Sequence, residues 1–275
     1  MPRVSVTVIT RNEASNIARA LESAVWADEV VVVDCGSTDD TVTIARRYTE
    51  RVFVRGWPGY GAQKNHAAAL AAHDWILSID ADERITPALA GEIRALLETE
   101  PPARGYRVPR VTWHLGRWIR STDWSPDYQL RLYDRRAGSW IERHVHESVR
   151  LDGRPGVLEH ELEHYAYRDL KDHLETMGRY ADLAARQMRE EGKRATFWGL
   201  ACHPPLAWLR NYVLRLGFRD GVPGLIVSGL NACYVFLKLA KLWELQRSAF
   251  APPALRRDEA ASGPNPGPRP PASGP

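Results

Sequence analysis

The sequence is short of cysteine, of net charge and of nucleotide fingerprints, and each shortage excludes something. Three cysteines, Cys35, Cys202 and Cys233, are scattered over 275 residues. They form no CxxC pair, which argues against a cysteine-built zinc site or a disulfide framework and fits a reduced, intracellular setting. Lys+Arg is 37 against Asp+Glu 34, a formal charge of +3. A dedicated nucleic-acid binder concentrates a larger basic excess, so no nucleic-acid partner is expected. The opening run MPRVSVTVIT lacks the basic, apolar and small-residue order of a secretory signal. No GxGxxG fingerprint, Walker A loop or internal repeat is present.

What is present is an alternation of strand and helix patterns over the first hundred residues. Val4 to Ile9, Glu29 to Asp34, Arg51 to Val54 and Asp74 to Ile79 read as strands rich in β-branched residues. Between them, helices are predicted from Asn12 or Ser15 to Trp26, from Thr41 to Tyr48 and from Gln63 to Ala72, with another starting at Thr86-Pro87. This βαβα rhythm predicts a mostly parallel α/β sheet with helices on both faces. Ligands of such sheets bind beyond the carboxyl ends of the strands. The polar residues gather there: Thr10 to Glu13 after the first strand, Asp34 after the second, Asp80 and Asp82 after the fourth.

Strand alternation sends Asp80 and Asp82 to the same side. Two carboxylates leaving one strand end suit a divalent cation that neutralises a departing diphosphate; they also suit a solvated acidic turn ahead of a helix. Asp34 is placed to accept from a base N–H or a ribose hydroxyl, or simply to hold the turn at Gly36-Ser37. Beyond Gly105 the pattern changes. Tyr106 to Val111 and Tyr128 to Tyr133 read as strands, set among loops rich in Trp, Arg, His and Asp.

Three elements, Val6-Thr7-Val8-Ile9-Thr10-Arg11-Asn12-Glu13, Val31-Val32-Val33-Asp34-Cys35-Gly36-Ser37-Thr38-Asp39 and Asp80-Ala81-Asp82, resemble glycosyltransferase family 2 in order and spacing. Gly61 to Asn65, Pro126 to Tyr133, Val145-His146-Glu147, His164-Tyr165 and Arg215 to Gly221 resemble a narrower branch, the lipopolysaccharide core β-1,4-glucosyltransferases and related envelope enzymes. The resemblance implies a GT-A fold and an inverting transfer from a nucleotide sugar, in particular a UDP-hexose such as UDP-glucose. It implies that Thr10, Glu13 and Asp34 line the nucleotide and that Lys64 and Asn65 approach the donor. Asp80 and Asp82 would face ribose and a Mg²⁺ or Mn²⁺ ion, with Asp82 the more direct ligand. Asp127 matches the general base, which takes the proton of a sugar hydroxyl as it attacks; Asp123, Glu142 and Glu147 are nearby acidic competitors. The family often carries Asp-Asp-Gly-Ser where this chain has Asp34-Cys35-Gly36-Ser37, so one base-contacting carboxylate is replaced.

His146 is a candidate third metal ligand, or a histidine bonded to the backbone or to Glu147. Arg131 is a candidate diphosphate donor, or a partner of Asp127 or Asp134. The implied acceptor is a lipopolysaccharide core or other lipid-linked glycan at the cytoplasmic face of a bacterial inner membrane. The rival readings are a sugar-nucleotide nucleotidyltransferase and a non-catalytic envelope-assembly protein.

The chain then divides into a nucleotide-sugar half over 1–105, an acceptor half of the same domain over 106–167, a helical region over 168–250 and a Pro-rich tail over 251–275. The tail holds eight of the chain's 19 prolines and is expected to be disordered. Residues 168–194 predict an amphipathic helix whose stripe is Leu170, Leu174, Met177, Ala181, Ala184 and Met188. The apolar run 225–243 contains Asn231, Lys238 and Lys241 and predicts an interfacial or packed helix rather than a span. Aromatic and basic residues interleave from 193 onward. Together they suit a membrane surface, or a helical cap or dimer seam built from the same residues.

Overall fold

The computed structural model describes residues 2–141 and 148–247. The first parallel unit forms as the β-branched runs dictate. Strand β1 is Val4–Thr10, followed by helix α1 (Ile17–Glu22), β2 (Glu29–Asp34), α2 (Thr41–Ala45), β3 (Val52–Val54), α3 (Tyr60–Leu70) and β4 (Trp75–Asp80). All seven residues of β1 are buried, as befits a central strand covered on both faces. Side-chain alternation splits the core in two. Val6, Val8, Val32, Leu77 and Ile79 pack with α1 and with α4 (Pro87–Glu98), while Ile9, Val31, Val33 and Ile76 pack with α3. Thr86 caps α4 by accepting from the Leu89 N–H, with Pro87 in the first turn.

Ten strands among the described residues form one mixed sheet. The second half adds β5 (Glu83–Ile85), β6 (Gly105–His114), β7 (Arg117–Ile119), β8 (Asp127–Asp134), β11 (Gly156–Val157) and β12 (Leu162–His164), with β9 (Gly138–Trp140) and β10 (Val149–Leu151) as a separate pair. The order is β3-β2-β1-β4-β8-β6-β12-β5. The expected parallel arrangement holds from β3 to β4. It turns mixed where β8 inserts antiparallel between β4 and β6. Direction decides what meets at the edge. Strands β1, β2, β3, β4, β6 and β12 end there and β8 begins there, so Thr10, Asp34, Asp80, His164 and Asp127 share one rim.

Three helices follow: α5 (Leu170–Glu190), α6 (Phe197–Leu209) and α7 (Gly221–Gln246). The stripe predicted for α5 needs correction. Leu170 and Leu174 are exposed, and the buried run is His173, Met177, Ala181 and Ala185. The buried face is turned by about one residue from the predicted stripe: His173 packs against His114 and Tyr167 at the start of α5, and on later turns Leu242 closes against Ala185 while Lys241 pairs with Asp182. The 251–275 segment lies outside the described residues.

Candidate active site

The rim is built by cross-linking loops. Asn12 takes a positive φ of 54°, a conformation Asn tolerates better than most residues. Its N–H donates to Ser37 Oγ at 2.8 Å and its side-chain carbonyl accepts from the Thr38 N–H at 2.8 Å. Glu13 N–H donates to Thr41 Oγ1 at 2.8 Å. The loops after β1 and β2 are thereby tied into one shelf.

Asp34 lies under that shelf. Its carboxylate accepts from the Gly36 and Ser37 N–H groups, both at 2.8 Å, and from the Ser37 hydroxyl. It is fully buried and is not among the residues lining the cavity above. The turn-holding alternative thus describes its contacts. Cys35 does line that cavity, and its sulfur accepts from Gln63 Nε2 at 3.3 Å. Burial, with the Asp34 carboxylate beside it, pushes the Cys35 thiol up to about 11.

A buried charge network lies beside the shelf. Asp80 pairs with Lys64 Nζ at 3.0 Å and Arg131 Nη2 at 2.6 Å. Burial alone would push its carboxyl up, but the guanidinium of Arg131 and the ammonium of Lys64 outweigh it and hold Asp80 well below the usual carboxylate range. Glu83, fully buried, accepts from Arg131 at 2.5 Å, from Arg110 at 2.9 Å and from the Asp80 N–H at 3.0 Å. Arg110 in turn grips Asp127, whose other oxygen accepts from Gln129 Nε2 at 2.5 Å. The network therefore runs Lys64–Asp80–Arg131–Glu83–Arg110–Asp127.

Two sequence expectations change here. Arg131 pairs with Asp80 and Glu83, not with Asp127 or Asp134; Asp134 is engaged by Arg104 and Arg136. Asn65 exchanges two hydrogen bonds with the Trp140 backbone, at 2.9 and 2.8 Å, and so braces the end of β9; it does not line the cavity. Lys64 does line it, with its ammonium 4.4 Å from the Trp140 ring centre.

The cavity holds about 700 Å³. Thr10, Glu13, Lys64, Asp80 and Asp82 line it, as do Cys35, Trp57, Tyr60, Arg110 and His164. Its far wall is the outer face of α5, through Thr176, Arg179, Tyr180 and Leu183. A second cavity of about 550 Å³ adjoins it across Arg110, lined by Ser125, Asp127, Tyr128, Glu159 and Glu161 among others.

His164 is the residue that sequence reasoning passed over as a ligand. Its Nε2 stands 3.4 Å from Asp82 Oδ2, while Nδ1 lies 3.1 Å from Thr112 Oγ1. Glu13 is near enough to Asp82 for the two charges to interact, and burial, more than that carboxylate, pushes the Glu13 carboxyl up. One carboxylate and one imidazole at a shared edge would suit a transition-series divalent cation such as Mn²⁺ better than a hard cation with oxygen ligands alone. Among the described residues no three His, Cys, Asp or Glu side chains are gathered around one point for a metal. His146, Glu142 and Glu147 lie outside the described residues. Asp123 is committed to Arg210 and Asn211. Glu83 and Arg110 were invisible as site residues because nothing local marks them; only the pairing of β6 with β8 and the return of β5 beside β12 bring them in.

The family model for glycosyl transferase family 2 matches residues 5–151. The chain is 31% identical over 248 residues to the lipopolysaccharide core biosynthesis glycosyltransferase LpsC of Rhizobium meliloti, covering 88% of this chain and 92% of that protein. It is 32% identical over 258 residues to an uncharacterized glycosyltransferase of Rickettsia typhi, covering 89% and 88%. Among solved structures, Staphylococcus aureus TarS 1–349 aligns over 89% of this chain and 91% of its own, at 19% identity and a TM-score of 0.45.

Proposed function

The chain belongs to glycosyltransferase family 2 and is a glycosyltransferase, and we propose that it moves a hexose from a nucleotide sugar, with UDP-glucose the favoured donor, to a lipid-linked glycan. The observation that carries this reading is the convergence of Thr10, Lys64, Asp80, Asp82 and His164 on one cavity at the carboxyl rim of the sheet. The acceptor is a lipopolysaccharide core or similar glycan, in line with the name that LpsC carries. The site works at the cytoplasmic face of the inner membrane.

Asp82 and His164 would hold the divalent cation, which when bound supplies positive charge against the diphosphate. Asp80 orients Lys64 toward the same cavity, and Arg131 and Glu83 lock Asp80 from beneath. Asp127 is the general base of this scheme. It sits on the wall of the adjoining cavity, where Tyr128 offers an exposed ring and Glu159 and Glu161 offer hydroxyl partners for an acceptor sugar. An incoming hydroxyl displaces Gln129 or Arg110 from the Asp127 carboxylate and takes its place as donor. The proton then passes to Asp127 as the new C–O bond forms at the anomeric carbon and the bond from that carbon to the diphosphate oxygen breaks on the opposite face, releasing the nucleoside diphosphate in a single inverting displacement. The nucleotide half and the acceptor half meet at Arg110, which lines both cavities.

A thermal-shift panel tests the donor class: UDP, CDP, GDP and their sugars, each with and without Mn²⁺. The reading predicts a selective, metal-dependent rise with a UDP-hexose. No shift with any nucleotide, or an equal shift without metal, contradicts it.

A further inference from the structure

Helix α6 has no side chain buried by the described residues, although its composition is strongly apolar. Phe197 is 73% exposed, Trp198 72% and Leu206 58%, and Leu214, Phe218 and Val222 farther along the chain are exposed as well. Large apolar side chains left uncovered in one segment mark an interaction surface in many soluble proteins.

Between residues 192 and 243 stand seven Lys and Arg and a single acidic residue, Asp220. Lys193, Arg210, Arg215 and Lys241 are paired with Glu191, Asp123 and Asp182, while Arg194, Arg219 and Lys238 have no ion pair among the described residues. Asp220 is itself buried, where it accepts from the Arg120 N–H at 2.9 Å and from the Ser121 hydroxyl. A second copy of the chain docked here would set Arg194, Arg219 and Lys238 against their own kind. The remaining segment, 248–275, offers little to cover the patch, with Phe250 and Leu255 its only large apolar side chains. Exposed apolar side chains in one segment with Arg194, Arg219 and Lys238, and with Trp and Tyr beside them, fit an anionic lipid headgroup layer.

We infer that residues 197–225 dock on an anionic lipid surface as a one-sided element, and that a polar clamp fixes this element to the strand bearing Asp127. The run Gly217–Gln246 is long and apolar enough to cross a bilayer by length and composition. Crossing would strip Lys241 from Asp182 and Leu242 from Ala185, contacts that tie α7 to α5. The clamp lies at the other end. The Thr122 N–H donates to the Arg215 carbonyl at 3.0 Å, the Asp123 N–H donates to Asn211 Oδ1 at 2.8 Å, and the Asp123 carboxylate accepts from Arg210 and from Asn211. Four residues beyond Asp123 is Asp127. The element therefore sets the distance from lipid to the acceptor cavity. The inference deepens the proposed function and rests on it for the acceptor's lipid tether.

The test is flotation of the full chain with vesicles of phosphatidylglycerol and phosphatidylethanolamine, against vesicles of phosphatidylcholine alone. The intact chain floats with the anionic vesicles and is released by high salt and by alkaline carbonate. Each Leu kept from the lipid forfeits about tenfold in partition, so Leu206→Asp with Leu214→Asp loses about a hundredfold, with thermal stability and acceptor-free turnover of UDP-glucose unchanged. If that variant is poorly folded, Phe197→Ser with Trp198→Ser, at the first turn of α6, replaces it. Unchanged flotation of a folded variant overturns the inference. So does equal binding to both vesicle types, resistance to carbonate, or a dimer in sedimentation that Leu206→Asp dissolves. Flotation as expected with no UDP-sugar turnover would leave the docking surface standing and sink the catalytic reading instead.

Discussion

Arg110 on β6 faces Asp127 on β8 across one rung of the sheet and grips one carboxylate oxygen with two nitrogens, Nε at 2.8 Å and Nη2 at 2.7 Å. The same guanidinium donates to the fully buried Glu83. Arg110→Met removes one of the two guanidinium groups that serve the buried Glu83, leaving Arg131 and the Asp80 N–H in place, and loses charge-assisted hydrogen bonds at a cost of about 2 kcal/mol. Urea unfolding should show a lower midpoint at unchanged slope.

Asp127→Asn keeps the shape of the site and removes the proposed proton acceptor. Donor binding by calorimetry should stay within about twofold, while transfer falls by about a hundredfold or more. Loss of nucleotide binding in this variant would show that Asp127 serves the donor instead.

Asp82 and His164 are proposed to act on the same ion, so their removal should look alike. Asp82→Ala and His164→Ala each lower transfer by about a hundredfold or more at fixed Mn²⁺, and chelation abolishes wild-type turnover. The His164 variant should be rescued in part by raised Mn²⁺, read as a shifted metal titration. A normal titration in His164→Ala would remove that residue from the site.

His173 and His114 form a buried pair, Nδ1 to Nε2 at 3.0 Å, with Tyr167 stacked on His173 at 4.1 Å between ring centres. Burial pulls both imidazoles below their ordinary range, His173 to about 4 with His114 adding to the effect. The unfolded chain protonates them near 6.5. Between about pH 6.5 and 4 the unfolded state binds more protons, so this contribution to stability is complete above about 6.5 and is lost as pH falls toward 4. Unfolding measured across that window should show the decline, and His173→Gln should flatten it.

The raised thiol of Cys35 makes it a poor nucleophile, while Cys202 and Cys233 are exposed. Maleimide on the native protein should modify Cys202 and Cys233, with Cys35 reacting only in denaturant.

How far the sequence reveals this molecule depends on how local each signal is. The β-branched runs that make β1 to β4 lie in consecutive residues, so the parallel half and its polar rim are readable before any coordinates, although the helices between them start without the side-chain caps that the sequence offers. Asp34 and Asn65 show the limit of that reading. A carboxylate after a strand and an amide in a first helical turn look the same whether they face a ligand or brace a backbone, and here they accept from Gly36 and Ser37 and hold Trp140. Glu83, Arg110 and His164 meet through strands far apart in the chain, a relationship that periodicity does not encode. The α5 stripe shares Met177 and Ala181 with the buried run, yet Leu170 and Leu174 stay exposed because the face that turns inward is set by His173 meeting His114 on β6, which an apolar pattern does not mark.

The most direct test is an anomalous-scattering map from crystals grown with UDP and Mn²⁺. The account predicts one manganese peak bonded to the Asp82 carboxylate, touching the diphosphate of a UDP that lies in the cavity shared by Thr10, Lys64 and His164. A UDP bound away from that rim, or a manganese peak remote from Asp82, would contradict it.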